Sequence, residues 1–427
     1  MKEQKKNEQE FDFIKEKIKD KPINKRRLLI RAGYHILCAI VFGAVACFVF
    51  VFLHPHVEAW LYPKKNTTIT IPKDEALEEE PENPEASVPT PPEESQTVYV
   101  PEELEVDDYQ ELQKKMYAIG KQANKSVVTV TGVTSGTDWF NTPYEKSNQA
   151  SGIIIGNNGQ ELLILTEKKV ITDAQVINIT FIDNKIVPAT LKKYDGNTGI
   201  AILSVPLTSI LGETMEKVAV APLGNSLVLS QGTLVIAVGS PQGANYSILC
   251  GTITSSQNKV TTIDNNYTIF TTDMVGSEAG SGVLVNLSGE IVGLVIKDYS
   301  NESDRNTITA LSISELKQVI EELSNNQDIP YLGLRISTVT DVIANQYGLP
   351  RGVYIKSVEM DSPAMSVGLQ EADIIVKMNG ETVTSVEQYN QILLEGKPGE
   401  TINMTVKRQG AEEYVDLEYT VAVGVLQ

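Results

Sequence analysis

Between residues 126 and 296 the chain is a succession of short β-prone runs with Gly, Asn and Asp between them, at 126–131, 152–155, 162–166, 177–182, 200–205, 233–239, 282–285 and 290–296. Many short strands punctuated by turn residues fit a β-barrel or sandwich and do not fit βαβ units, which alternate strands with long helical patterns. Two helical patterns flank this region. Residues 109–123 place Leu112, Met116 and Ile119 on one face, and 313–323 carry apolar residues at 313, 316, 319, 320 and 323.

The N-terminal part has a different character. Residues 1–31 hold 11 Lys/Arg against six Asp/Glu, and 22 residues without a formal charge follow, from Ala32 to Leu53. As a helix rising about 1.5 Å per residue, that run reaches roughly 33 Å, enough for a hydrocarbon core of about 30 Å. It is too long for a cleaved signal peptide and ends in the bulky Phe50-Val51-Phe52-Leu53. The prediction is a single transmembrane helix over 32–54 behind a basic cytoplasmic tail, 1–31. By the positive-inside rule, everything after about Trp60 is then extracytoplasmic. Residues 63–110 contain 14 Asp/Glu, three Lys and eight of the 19 prolines. Such a composition buries too little apolar surface to offset chain entropy, so 55–107 is expected to be a disordered acidic linker.

Charge and composition narrow the chemistry. Of the net charge of -19, the tail contributes +5, Glu58 -1 and residues 63–110 -11, which leaves -12 for residues 111–427. An acidic body opposes nucleic-acid binding, which needs clustered Lys and Arg. Cys250 is the only cysteine after residue 47 and has no histidine for company, so neither a disulfide framework nor a zinc site is expected, and no cofactor is implied. Asp195-Gly196-Asn197 and Asp264-Asn265-Asn266 look like fragments of calcium loops but lack the later acidic ligands, and read as turns. The three histidines are His35, His54 and His56. Any enzyme built from the remainder works without imidazole.

From about residue 109 onward, motif order and spacing resemble the HtrA/DegP family of chymotrypsin-like serine proteases. The carriers are Ser151-Gly152-Ile153-Ile154-Ile155, Ile164-Leu165-Thr166, Asp195 to Val205, Pro222-Leu223-Gly224-Asn225-Ser226, Val235 to Pro241, and Thr272-Asp273 leading to Leu284-Val285-Asn286. The resemblance implies a double β-barrel over 108–326 and a Ser-His-Asp triad with an oxyanion hole. The position of the family's histidine holds Lys169, and that of its aspartate holds Gly199. In the serine loop, Ala279-Gly280-Ser281-Gly282-Val283 stands where the family has Gly-Asn-Ser-Gly-Gly-Pro. Counting forward from Thr272-Asp273 puts Ser281 at the nucleophile position, and counting back from Leu284-Val285-Asn286 puts Gly280 there.

Residues 327–427 resemble an HtrA-type PDZ domain, an α/β module. Its marks are Tyr331-Leu332-Gly333-Leu334, Gly352-Val353-Tyr354-Ile355, Ser362-Pro363-Ala364, Gly368-Leu369, and Asp373 to Gly380, with Ala372 where the family has Gly. By that resemblance, backbone amides of the Tyr331–Leu334 loop would receive a partner's C-terminal carboxylate, and Leu334, Ile336, Ile392 and Leu393 are pocket candidates.

The resemblance with its losses implies a membrane-anchored, extracytoplasmic pseudoprotease. It would bind C-terminal or extended segments of envelope proteins, as a scaffold or regulator of envelope protein quality control and in a family that often forms trimers. The competing reading is an active endopeptidase using Ser281 with Lys169 as base, and a third is an inert structural protein.

Overall fold

The computed structural model describes residues 68–74, 105–137, 143–299 and 306–426. The basic tail and the apolar run at 32–54 lie outside the described residues. Among the described residues, no helix is long and apolar enough to cross a membrane.

Helix α1 (Val106–Ala123) leads into β1 (Val127–Thr137). The first closed barrel comprises β1, β2 (Pro143–Asn157), β3 (Glu161–Glu167), β4 (Val176–Thr180), β5 (Ile186–Tyr194) and β6 (Ile200–Pro206), in the order β1-β2-β3-β6-β5-β4. A single-turn helix α2 (Lys168–Ile171) follows β3, and α3 (Gly212–Met215) follows β6. The second barrel comprises β7 (Leu234–Ser240), β8 (Ser247–Thr261), β9 (Asn266–Val275), β10 (Ser281–Val285), β11 (Ile291–Val295) and β12 (Thr307–Ser312), in the order β10-β11-β12-β9-β8-β7. Helix α4 (Ile313–Ser324) closes this part.

The nearly unbroken apolar runs have a geometric cause. Successive strand residues face opposite sides, and in these barrels both sides are buried. Leu162, Ile164, Ala201 and Leu203 fill the first barrel's interior, while the intervening Leu163, Leu165, Ile200 and Ile202 face a separate core. The second barrel sends Ile236, Val238, Val283 and Val285 into that same shared core and keeps Val235, Ala237 and Leu284 inside. At about 1.5–3 kcal/mol per buried aliphatic side chain, this seam holds the barrels together.

The C-terminal part has its own core, which includes Leu332, Leu334, Ile336, Tyr389 and Leu393. Its main sheet runs β14 (Leu334–Val339), β15 (Gly352–Val358), β16 (Ile374–Met378), β18 (Thr401–Gln409) and β19 (Tyr414–Ala422), with β17 (Glu381–Thr382) on β16. Strand β13 (Pro330–Tyr331) pairs with β20 (Gly424–Val425). The helices are α5 (Asp341–Tyr347), α6 (Pro363–Ser366) and α7 (Val386–Glu395). Ala372 adopts φ 72°, the left-handed turn geometry that glycine ordinarily supplies.

Three expectations need correction. Helix α1 starts at Val106, three residues before the apolar pattern, where the Asp108 carboxylate accepts the Glu105 N–H at 2.9 Å. Leu112 is exposed, while Met116 and Gly120 carry the buried face. Most consequential is the acidic linker, which is not wholly unstructured: residues 68–74 dock on α4. The Ile69 N–H and C=O both pair with the Asn325 side chain at 2.8 Å, and the Ile71 N–H donates to Glu321 Oε2 at 2.8 Å. Ile69 and Ile71 pack on the shared core. Asp74 accepts from Ser314 Oγ at 2.5 Å and from Lys317 Nζ at 2.7 Å. The Ile-Thr-Ile segment supplies the apolar surface that the surrounding Glu and Pro lack.

Lys317 lies on the buried face of α4, so its ammonium depends on Asp74. Asp74→Ala strands that charge and is expected to lower stability by about 3 kcal/mol, given that breaking a buried ion pair costs about 3–5. Urea denaturation checks this, and an unchanged midpoint would contradict docking of residues 68–74 in solution.

Candidate functional site

Ser281 opens β10 and pairs with Ser240 of β7. The next residue, Gly282, has φ 142°, and a Cβ there would sit 2.1 Å from the Val238 carbonyl oxygen, so β10 presses against β7 as only glycine permits. Ser281 is 2% exposed. Its Oγ accepts the Ser151 N–H at 2.8 Å, Ser151 Oγ donates to the Ser281 carbonyl at 3.4 Å, and Thr166 Oγ1 donates to the Ser151 carbonyl at 3.1 Å. Ser281 thus ties the second barrel to the first. In the loop before it, the Ser277 N–H donates to the Pro241 carbonyl and the Gly280 N–H to the Ser277 carbonyl, each at 2.9 Å, while the Ala279 N–H donates to Ser277 Oγ at 3.3 Å. These amides are engaged within the loop or with Pro241 at the end of β7.

Lys169, on α2, has other partners. Its Nζ lies 2.6 Å from Glu167 Oε2 and 3.3 Å from Asp298 Oδ1. The closer contact is an ion pair with a carboxylate that is itself buried. Burial disfavours the Lys169 ammonium, but Glu167 and Asp298 outweigh it and hold its pKa above the ordinary 10.5. A lysine acting as base at neutral pH needs the opposite shift. For Glu167 burial wins and the carboxyl is raised, with Lys169 opposing. The two directions agree physically: the acid is enclosed, while the half-exposed cation has two acids beside it. Ser281 and Lys169 make no hydrogen bond to each other.

Gly199 takes φ 74°, donates its N–H to the Asp195 carbonyl at 3.1 Å and accepts the Lys168 N–H at 2.7 Å. The nearby Asp195 is buried and turned into its own loop, where it accepts from the Asn197 and Thr198 amides at 3.0 Å and from Thr198 Oγ1 at 2.5 Å. Asp195 therefore does not face Lys169 as an orienting acid would.

The loop before β14 is better defined. The amides of Leu332 and Gly333 both donate to one carboxylate oxygen at 2.8 Å, and that of Leu334 donates to the other at 3.1 Å. The carboxylate is the side chain of Asp264, from the turn between β8 and β9, and Tyr389 of α7 donates its hydroxyl to it at 2.6 Å. Gly333 has φ 89°, and a Cβ there would meet Ser362 Cβ at 2.2 Å. Leu334, Ile336 and Leu393 are buried in the PDZ core, Ile392 packs partly buried against it, and Tyr331 pairs with Gly424. Sequence reasoning missed Asp264, Tyr389 and Asn390. Asp264-Asn265-Asn266 was legible only as a turn, with nothing to show what the turn touches.

Comparison with known proteins matches this arrangement. A trypsin-like peptidase domain model covers residues 150–294, and a PDZ domain model covers 330–419. Serine protease Do-like HtrA of Lactobacillus helveticus is 27% identical over 289 residues, 64% of this chain and 68% of that protein. A probable periplasmic serine endoprotease DegP-like of Marinomonas sp. (strain MWYL1) is 29% identical over 279 residues, 64% of this chain and 57% of that protein. The two domain matches and these relatives together support the HtrA-type family. Serine protease Do-like HtrB of Bacillus subtilis (strain 168) is a further HtrA relative, 27% identical over 63% of this chain and 62% of its own length. Several of these relatives are thus matched over less than two thirds of their length. Among solved structures, the HtrA-type protease AlgW with decapeptide aligns with a TM-score of 0.54 at 21% identity, over 73% of this chain and 98% of that one. It shares the HtrA fold.

The raised Glu167 carboxyl sets a pH signature. The folded state holds this proton more tightly than the unfolded chain, so the group's contribution to stability falls as pH rises from the ordinary 4.5 through the raised folded value. Wild type should lose stability relative to Glu167→Gln as pH climbs through that window, measured by urea midpoints. A relative gain would mean that Lys169 outweighs burial.

Proposed function

We propose that this chain is a membrane-anchored, extracytoplasmic HtrA-like pseudoprotease that binds peptide or protein segments as a scaffold or regulator of envelope protein quality control. The observation that carries the reading is that the two groups catalysis would have to join are each engaged by other partners. Lys169 stands as an ammonium between Glu167 and Asp298, and Ser281 Oγ accepts the Ser151 N–H. A serine hydroxyl attacks a carbonyl only as a base removes its proton, and loss of triad function costs roughly four or more powers of ten in rate. The PDZ amides converge as a carboxylate receptor. Support for the setting comes from relatives named serine proteases and periplasmic endoproteases, and from AlgW, whose structures hold peptides. The 32–54 run supplies the single-pass anchor, with the N-terminus cytoplasmic and the bulk outside. Assembly as a homotrimer belongs to the same reading.

A fluorophosphonate probe tests the serine directly. Labelling of wild type should not exceed that of Ser281→Ala. Labelling lost in both Ser281→Ala and Lys169→Met would establish a Ser–Lys endopeptidase instead. Ser281→Ala should also lower stability by about 1–2 kcal/mol, because it strands the buried Ser151 amide. An unchanged urea midpoint would contradict that inter-barrel role.

A further inference from the structure

The PDZ carboxylate loop already holds a carboxylate, and it comes from the chain's own second barrel. Three backbone amides and the Tyr389 hydroxyl donate to Asp264. Main-chain contacts continue the imitation of a bound peptide. The Asp264 N–H donates to the Leu334 carbonyl at 2.6 Å, and Ile263 forms an antiparallel bridge with Arg335 at the exposed edge of β14. Asn266 Nδ2 donates to the Ile336 carbonyl at 3.2 Å, and Asn390 Nδ2, from α7, to the Asp264 carbonyl at 3.3 Å. These are the elements by which a PDZ domain takes a C-terminus: a carboxylate on loop amides, and main-chain pairing with the edge strand beside the helix.

We propose that Asp264 is an internal ligand of the PDZ groove, which the 262–266 turn closes in cis, so that a partner's free C-terminus enters by displacing it. This rests on the peptide-binding reading of the PDZ domain and specifies how that site is regulated. Two carboxylates cannot share the same three amides.

The turn is held from behind as well as from the groove. Asn197, in the first barrel's 195–199 loop, donates Nδ2 to the Ile263 carbonyl at 2.7 Å and accepts the Ile263 N–H at 3.0 Å. The closed arrangement also carries internal costs that favour exchange. Asp264 sits at φ 58°, a left-handed conformation uncommon outside glycine. Burial raises its carboxyl against the pull of its hydrogen-bond donors. A groove open for only a fraction of the time binds a peptide with its affinity reduced by that fraction. If closure is at least about 90% populated, removing the internal ligand should strengthen peptide binding about tenfold or more.

The test uses the full chain in detergent and a pool of fluorescent decapeptides with apolar, free-carboxylate termini, with the same pool as C-terminal amides for control. Asp264→Ala and the gentler Asp264→Asn should bind the acid pool at least about tenfold more tightly than wild type, while Gly333→Glu in the Asp264→Ala background should abolish binding. Equal affinity in wild type and both Asp264 variants would overturn the proposal. Amide hydrogen exchange without peptide separates it from the peptide-binding reading. Leu332, Gly333 and Leu334 should be protected in wild type and lose protection in both variants, and unchanged protection would overturn closure in cis. Protection that depends on Asp264, with no peptide bound by any form, would uphold closure and sink the peptide-binding reading.

Discussion

The seam between the two barrels is the constraint on which the rest of the molecule depends. Period-2 alternation sends half of each buried strand into its own barrel and half into the shared core, which also receives α4 and the Ile69–Ile71 segment. The seam carries a polar tie as well, in which the Ser281 hydroxyl accepts the Ser151 amide. In a triad protease, the serine at this position must stay available to a base. Here it satisfies a backbone donor that burial would otherwise leave unpaired, a structural task of the kind worth about 1–3 kcal/mol when withdrawn.

Charge balance completes the change. A neutral imidazole can sit half-buried without a counterion, whereas a lysine in its place must be matched or desolvated at a cost. Glu167 and Asp298 do the matching. The same pairing raises the amine's proton affinity and so moves it away from base chemistry. The absence of an aspartate at Gly199 fits this electrostatics, since a lysine needs no orienting acid at that point once its own neighbours hold it.

Much of this was legible in the residues. The runs at 162–166, 200–205 and 282–285 showed themselves because both faces of those strands are buried, and α4 because its apolar period is complete. Strands β5, β8, β9 and β12 were not assigned. In β5, Pro188 and two lysines argue against a strand, and much of β8 is polar and only partly buried, so pairing with barrel neighbours decides where local propensity does not. The docked 68–74 segment vanished in an average over residues 63–110, 14 of which are Asp or Glu. Asp264 was out of reach for a different reason. A turn's own residues fix its shape, but what its side chain meets 68 or 125 residues away is a property of the tertiary structure.

The PDZ loop and the barrels are therefore mechanically joined as well as covalently linked. The β8–β9 turn is clasped by Asn197 on one side and by the carboxylate loop on the other. On the proposed exchange, a partner that takes the groove would release a turn whose other face is held by Asn197, in the loop that contains Gly199. The central claim, that this chain binds and does not cut, is tested most directly by turnover of β-casein by the full chain beside Ser281→Ala under identical conditions. The account predicts the same background rate for both. Hydrolysis by wild type that Ser281→Ala eliminates would contradict it.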